Sequence, residues 1–252
     1  MEQKHAKFDP ARAWSDAMRM LGAEREILLT MTGALVMLPM LLLDMLRPFT
    51  TGDSRAATLA DLMRWTEANA LWILLATVVA ALGRLAILIL LLSPERPTVG
   101  EALSAAARLL IPFVVMDVLV GLMWLGGSTL LLLPGLYLVG RTYLAEAAFV
   151  AGRVHNPMAA IAAGFERSRG NGWRIFAMVA IIYVAGTVLT AAIGSVVGVI
   201  GALIGAAGLD GFLNAFVESA LGSALSLMLL LVSIASWRQL DEERHVRSGV
   251  TS

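Results

Sequence analysis

The sequence predicts an all-α fold: a polytopic helical membrane bundle of about six transmembrane helices, with amphipathic helices on the membrane surface. Three observations predict it. Apolar residues make up 58% of the 252 residues and charged residues 15%, against roughly 45–50% and about 25% in a soluble domain. Too few polar side chains remain to cover a water-soluble globule. The apolar residues fall in continuous runs that match a hydrocarbon layer of about 30 Å, which takes about 20 helical residues. The basic residues are sharply one-sided. Continuous rather than alternating runs exclude a β-barrel. A formal net charge of zero gives no global basic field, so nucleic acid is not an expected partner. The lack of cysteine excludes disulfides and thiol chemistry.

The spans follow in order. Ile27–Leu43 is the first, free of charge and carrying Pro39, which spanning helices tolerate when neighbours satisfy the freed carbonyl. The second runs from about Asn69 to Leu92 and is interrupted by Arg84; the third runs from about Leu109 to Leu133 and is interrupted by Asp117. Pro134-Gly135 predicts a break. A short fourth segment, Leu136 to about Ala151, contains Arg141 and Glu146. Ile175–Leu209 carries no charge over 35 residues, about 50 Å as one helix, so it reads either as one long bent helix or as a span plus a re-entrant segment. Its glycines give small-xxx-small spacing (Gly194/Gly198, Gly201/Gly205), which lets helices pack closely within the chain or between copies. The sixth span runs from about Leu213 to Trp237. The organisation expected is a cytoplasmic N-terminal segment over residues 1–26, a membrane domain over 27–237 and a cytoplasmic tail over 238–252.

Six spans put both termini on one side. That side holds Lys4, Lys7, Arg12, Arg19, Arg25, Arg96, Arg108, Arg153, Arg167, Arg169, Arg174, Arg238, Arg244 and Arg247, whereas the opposite side holds Arg47, Arg55 and Arg64. Fourteen against three places both termini in the cytoplasm of a bacterial inner membrane. Trp65, Trp72 and Trp124 fall near outer span ends, and Trp173 and Trp237 near inner ends, the interfacial placement of tryptophan. The N-terminal residues mix acids and bases, which does not fit a signal peptide. Pro10–Leu21, Pro97–Leu110 and Pro157–Ser168 each start at proline, space apolar residues helically and lead into a span. They read as three surface helices, each followed by a helical hairpin.

Ionisable residues inside spans are the candidates for chemistry, since each costs about 2.5–3.5 kcal/mol at a helix centre and usually pairs. Arg84 and Asp117 lie on neighbouring spans within reach of each other, and Arg141 and Glu146 extend them to a four-charge cluster. The cluster reads either as a polar path or head-group site, or as an ion-pair network that fixes packing. His5, His155 and His245 are far apart and no HExxH, Walker or GxSxG pattern occurs, so neither metal nor cofactor is expected. The basic stretch Arg167–Arg174, with Trp173 inside it, suits attraction to anionic lipid.

Two stretches carry a family resemblance. Leu133-Pro-Gly-Leu-Tyr-Leu-Val-Gly-Arg141 and Ala160-Ile-Ala-Ala-Gly-Phe-Glu-Arg-Ser-Arg-Gly-Asn-Gly-Trp-Arg174 resemble motif segments of the YciC-like bacterial inner-membrane proteins, related to the glycerophosphoryl diester phosphodiesterase membrane-domain family. The matching positions are Pro134, Gly135, Tyr137, Arg169, Gly170, Asn171, Trp173 and Arg174; the family's serine and first tryptophan stand as Gly164 and Phe165 here. The resemblance implies a six-span membrane domain without an activity of its own. A catalytic phosphodiesterase barrel takes about 250 residues and has no room in this chain. The function expected is therefore non-catalytic: membrane homeostasis, lipid interaction or scaffolding of other membrane proteins, with membrane lipids and self-association through the glycines as partners. The alternative is a transporter or permease for a small polar or amphipathic solute.

Overall fold

Proline-led starts, side-chain caps and long apolar runs lay the chain out as helices. The computed structural model describes residues 8–49, 58–130, 132–153, 155–204 and 209–248. Among them there is no strand. Lys4, His5, Lys7, Arg55 and Gly205 lie outside the described residues.

Helix α1 (Pro10–Ala23) starts where Asp9 caps it, accepting from the amides of Ala11 and Arg12. Its Ala13 and Ala17 are fully buried, whereas Trp14 and Met18 remain exposed. Small residues face the bundle and large apolar ones face outward, as a surface helix requires. Phe8, just ahead of it, is buried and donates its N–H to Asn171 Oδ1 at 3.0 Å.

The first long helix comprises α2 (Arg25–Thr32), a π turn (Gly33–Met37) and α3 (Leu38–Leu46). Pro39 lacks an N–H, and its ring crowds the carbonyl four residues back; widening the preceding turn relieves both. Helix α4 (Leu59–Ala68) occupies a stretch that the sequence reads as a loop. Helix α5 (Ala70–Leu92) packs on the π turn through Gly83, where a Cβ would lie 2.7 Å from the Leu35 Cβ.

The sequence signal for α4 is Thr58-x-x-Asp61, a reciprocal capping box. The Thr58 hydroxyl and amide both donate to the Asp61 carboxylate, at 2.6 and 3.1 Å, and hold it below the ordinary carboxylate range. A depressed carboxylate stabilises the fold above its unfolded pKa, and that contribution is lost as pH falls through the folded value. Amide exchange across α4, corrected for intrinsic rates, should therefore rise in acid, and Asp61→Asn should show faster exchange already at neutral pH. Protection insensitive to both would contradict the cap.

Helix α6 (Val99–Leu130) runs unbroken through Pro112. The second surface segment and the third span are thus one helix rather than two: Ala102 and Ala106 are buried, so this stretch packs on the protein as a direct extension of the span. The first and third of these segments are separate helices, as expected: α1 ends at Ala23 with Glu24 as its cap, and α9 (Pro157–Arg167) has Ser168 as its cap.

The fourth span is not a single helix. It consists of α7 (Leu132–Thr142) and α8 (Ala145–Ala151), with the chain turning at Tyr143-Leu144. Together they retrace α6: Gly127 approaches Gly135, Trp124 Nε1 donates to Thr142 Oγ1 at 2.6 Å, and the rings of Phe113 and Phe149 meet at 5.5 Å. Helix α6 ends at Leu130 and α7 begins at Leu132, a few residues before the break expected at Pro134-Gly135. Both residues lie in the first turn of α7, where an N–H has no intrahelical partner to lose. The second interruption, at Tyr143-Leu144, is tied to α11 (Leu209–Ser248): Ser233 Oγ donates to the Tyr143 carbonyl at 3.2 Å, and the Tyr143 hydroxyl donates to the Leu229 carbonyl of α11. Side chains of a neighbouring helix commonly satisfy backbone freed inside a membrane.

Helix α10 (Gly172–Ile204) is a single element, which decides the ambiguity at Ile175–Leu209 in favour of one long helix over the described residues. It packs antiparallel on α11 with Gly186 against Leu225, Gly194 towards Glu218 and Gly198 against Asn214. The Gly194/Gly198 pair is thus occupied within the chain. Helix α11 continues past Trp237 to Ser248, so most of the expected tail is helical. There Arg12 pairs with Glu242 at 2.6 Å, and Arg167 pairs with Asp241 while its guanidinium lies 4.3 Å from the Trp237 ring centre. These contacts bind the tail to α1 and α9. Among the described residues five helices are long and apolar enough to cross a membrane: Arg25–Leu46, Ala70–Leu92, Val99–Gly127, Gly172–Gly201 and Gly211–Glu243. The chain is an all-α membrane protein; the segment expected as its fourth span, α7–α8, is not among those five helices.

Candidate functional site: a charged cavity at the helix break

Arg84, just past the middle of α5, is the hub. Its Nη1 donates to Glu146 Oε1 at 2.5 Å, and its Nη2 donates to Asp117 Oδ2. The guanidinium also lies 5.8 Å from the Phe113 ring centre. Three elements meet here because each contributes one charge: α5 the arginine, α6 Asp117, and α8 Glu146 in its first turn. A planar fork suits this use, since one arginine can serve two carboxylates in fixed directions. In the ionised form the triad carries one more negative than positive charge.

The triad borders a cavity of about 200 Å³. About a quarter of each charged side chain stays exposed: 24% for Arg84, 23% for Asp117 and 24% for Glu146. Trp124, Thr142, Ser226 and Ser233 complete the polar lining, and Met116, Val120 and Leu230 the apolar part. The hydroxyls of Thr142, Tyr143 and Ser233 are already engaged with backbone: Thr142 Oγ1 donates to the Leu138 carbonyl at 2.8 Å, beside the Ser233 and Tyr143 bonds already described. What remains to meet a ligand is the outer edge of the triad and Ser226. Such a surface can bind a small polar molecule by hydrogen bonds and charge. Among the described residues no group of three or more His, Cys, Asp or Glu is placed to hold a metal.

Arg141 does not join the cluster the sequence groups it with. At the end of α7 it points to a different side of the helix, where its guanidinium lies 5.1 Å from the Phe165 ring centre and 5.9 Å from that of Tyr137. Its stem packs on Gly172, and its Nη1 is buried with no hydrogen-bond partner among the described residues. Helix direction explains the split. Arg141 and Glu146 are separated by the turn at Tyr143-Leu144, so no common helix face carries them both.

The two motif stretches meet at this second location. Tyr137 and Trp173 have ring centres 5.6 Å apart, Ser168 Oγ donates to the Arg141 carbonyl at 3.0 Å, and Gly140 lies so close to α10 that a Cβ there would overlap the Gly172 carbonyl oxygen. Gly170 takes φ 79°, a left-handed conformation that glycine adopts without penalty; Asn171 is buried and ties down Phe8. At Gly164 a Cβ would lie 2.9 Å from the Ala145 backbone nitrogen, so a larger side chain has no room. Of the remaining motif positions, Pro134 and Gly135 open α7, while Arg169 and Arg174 are exposed.

Sequence reasoning missed the polar lining contributed by α11. The signal was Ser226 and Ser233, seven residues apart on one helical face within an otherwise apolar run. Comparison with known families, curated proteins and solved structures finds no match.

Proposed function

We propose that this is a non-catalytic, multi-pass bacterial inner-membrane protein whose working site is the Arg84–Asp117–Glu146 cavity, serving as a permease site for a small polar or amphipathic solute. The observation that carries the reading is a cavity lined by one arginine and two carboxylates at the break between α7 and α8, enclosed by long apolar helices. Discontinuous helices near the bilayer midplane are where secondary transporters bind their substrates. Charged groups inside a membrane are expensive, and facing a cavity or pathway is their usual reason to be there. The fourteen-to-three distribution of basic residues supports an inner-membrane placement with both termini cytoplasmic. The resemblance of Leu133–Arg141 and Ala160–Arg174 to YciC-like proteins supports the same compartment.

Uptake of a panel of amines, polyols and organic ions into proteoliposomes tests the transport reading. Uptake above empty vesicles for one class, reduced at least about tenfold by Asp117→Asn or Glu146→Gln, is the expected result. Uptake identical with and without protein across the panel would remove it.

A second reading, a scaffold without transport, is favoured by one observation: both terminal nitrogens of Arg84 are already satisfied by the two acids. On that reading the neutral variants alter stability and leave vesicle permeability unchanged.

A further inference from the structure

We infer that the chain holds an anionic phospholipid in a groove between α10 and α11 beneath α1, with the lipid phosphate at Arg174. Two adjoining cavities, of about 420 and 460 Å³, share Trp14, Ile181 and Ile182. They form one groove. Its mouth is formed by Pro10, Ala11 and Arg174, and it continues down α10 to Thr190 against Leu225 of α11.

Length is the first argument. From Arg174 to Thr190 the helix rises about 24 Å at about 1.5 Å per residue. One leaflet with its head-group region is about 20–22 Å thick. The groove therefore reaches from head-group level to the bilayer centre, as a single lipid does.

Charge is the second. Among the described residues no acid lines either cavity, and Arg174 has no ion pair. The acid nearest in sequence to the mouth, Asp9, is turned onto the amides of Ala11 and Arg12 as the cap of α1. The mouth thus presents one cation without an ion pair over an apolar channel, with the exposed indole of Trp14 in the groove and that of Trp173 one residue before Arg174 on α10. Indoles settle at head-group level, and arginine recognises phosphate by a fork of donors. Phosphatidylglycerol or cardiolipin matches that combination. A zwitterionic lipid carries its own cation and gains less.

The test uses the purified full-length protein, exchanged into detergent containing equal phosphatidylglycerol and phosphatidylcholine, with retained lipid counted by native mass spectrometry. Wild type should retain phosphatidylglycerol about fivefold over phosphatidylcholine, the equivalent of about 1 kcal/mol for one charge near the surface. Arg174→Gln should abolish the preference and Arg174→Lys should keep most of it. Ala185→Phe, which fills the groove below its mouth, should reduce retention of both lipids. Equal retention of the two lipids by wild type would overturn the inference, as would an undiminished preference in Arg174→Gln or unchanged retention in Ala185→Phe.

Discussion

Arg84→Ala should destabilise the protein by about 3–5 kcal/mol, the usual cost of removing one partner from a buried charge pair. The substitution leaves Asp117 and Glu146 facing each other at a site three-quarters buried, with no other cation paired to either among the described residues. Folded, monodisperse yield in detergent and the unfolding midpoint are the measurements. Asp117→Asn and Glu146→Gln should cost less, about 1–3 kcal/mol each, because Arg84 keeps one carboxylate in either case. Replacing all three by apolar residues of similar volume (Arg84→Met, Asp117→Leu, Glu146→Met) should restore much of the loss, since a buried ion cluster exchanged for good packing is often neutral or stabilising. Such a triple variant that folds well but no longer takes up solute would separate function from stability. An Arg84→Ala protein within about 0.5 kcal/mol of wild type, the range of an ordinary surface change, would show that the triad carries no weight.

Gly140→Ala should be nearly as damaging, by about 3 kcal/mol or more, at or beyond the upper end of the about 1–3 kcal/mol that overpacking typically costs. That range applies when flexible side chains can yield. Here the obstruction is the carbonyl oxygen of Gly172, which the new Cβ would overlap, with the Phe176 amide nitrogen at 3.0 Å. Backbone cannot swing aside, so α7 must separate from α10, and the Tyr137–Trp173 and Ser168–Arg141 contacts separate with it. Gly121→Ala and Gly222→Ala provide the sign control. Nothing lies within 4 Å of a Cβ at either position, and replacing a mid-helix glycine by alanine stabilises by roughly 0.5–1 kcal/mol. Thermal unfolding of the three variants side by side should therefore move in opposite directions. A uniform response would mean that α7 and α10 approach less closely than the Gly140–Gly172 contact requires.

The contrast between those glycines shows where sequence reasoning ran out. Apolar run length places α5, α10 and the crossing part of α6 within a few residues, because the bilayer sets that length. Lone charges in those runs expose Arg84 and Asp117 at once, since nothing else in an apolar helix is so costly. Glu146 does join them, but Arg141 does not. Its place depends on a turn at Tyr143-Leu144 that carries neither glycine nor proline and is held by Ser233, 90 residues away in the chain. Local propensity contains no trace of that bond. The same holds for Gly140 and Gly164: glycine in a membrane helix signals a close approach, while its partner is a tertiary fact. At the Pro39 turn and the Thr58/Asp61 cap the chemistry is local, and each feature is explained by residues within one or two turns of it.

If the triad serves a solute, the cavity beside Arg84 must admit small polar molecules from water while it lies inside the membrane. The absence of cysteine allows a direct measurement, because any introduced thiol is the only one present. Ser226→Cys places a thiol on the cavity wall, and Val188→Cys places one on the exposed apolar face of α10. Each variant is sealed into proteoliposomes and treated from each side in turn with a small, charged, membrane-impermeant thiol reagent. The thiol at position 226 should be modified within minutes from at least one side, while the thiol at position 188 stays inert in the lipid. Equal inertness of the two positions from both sides would refute an open cavity and leave the triad as a packing device alone.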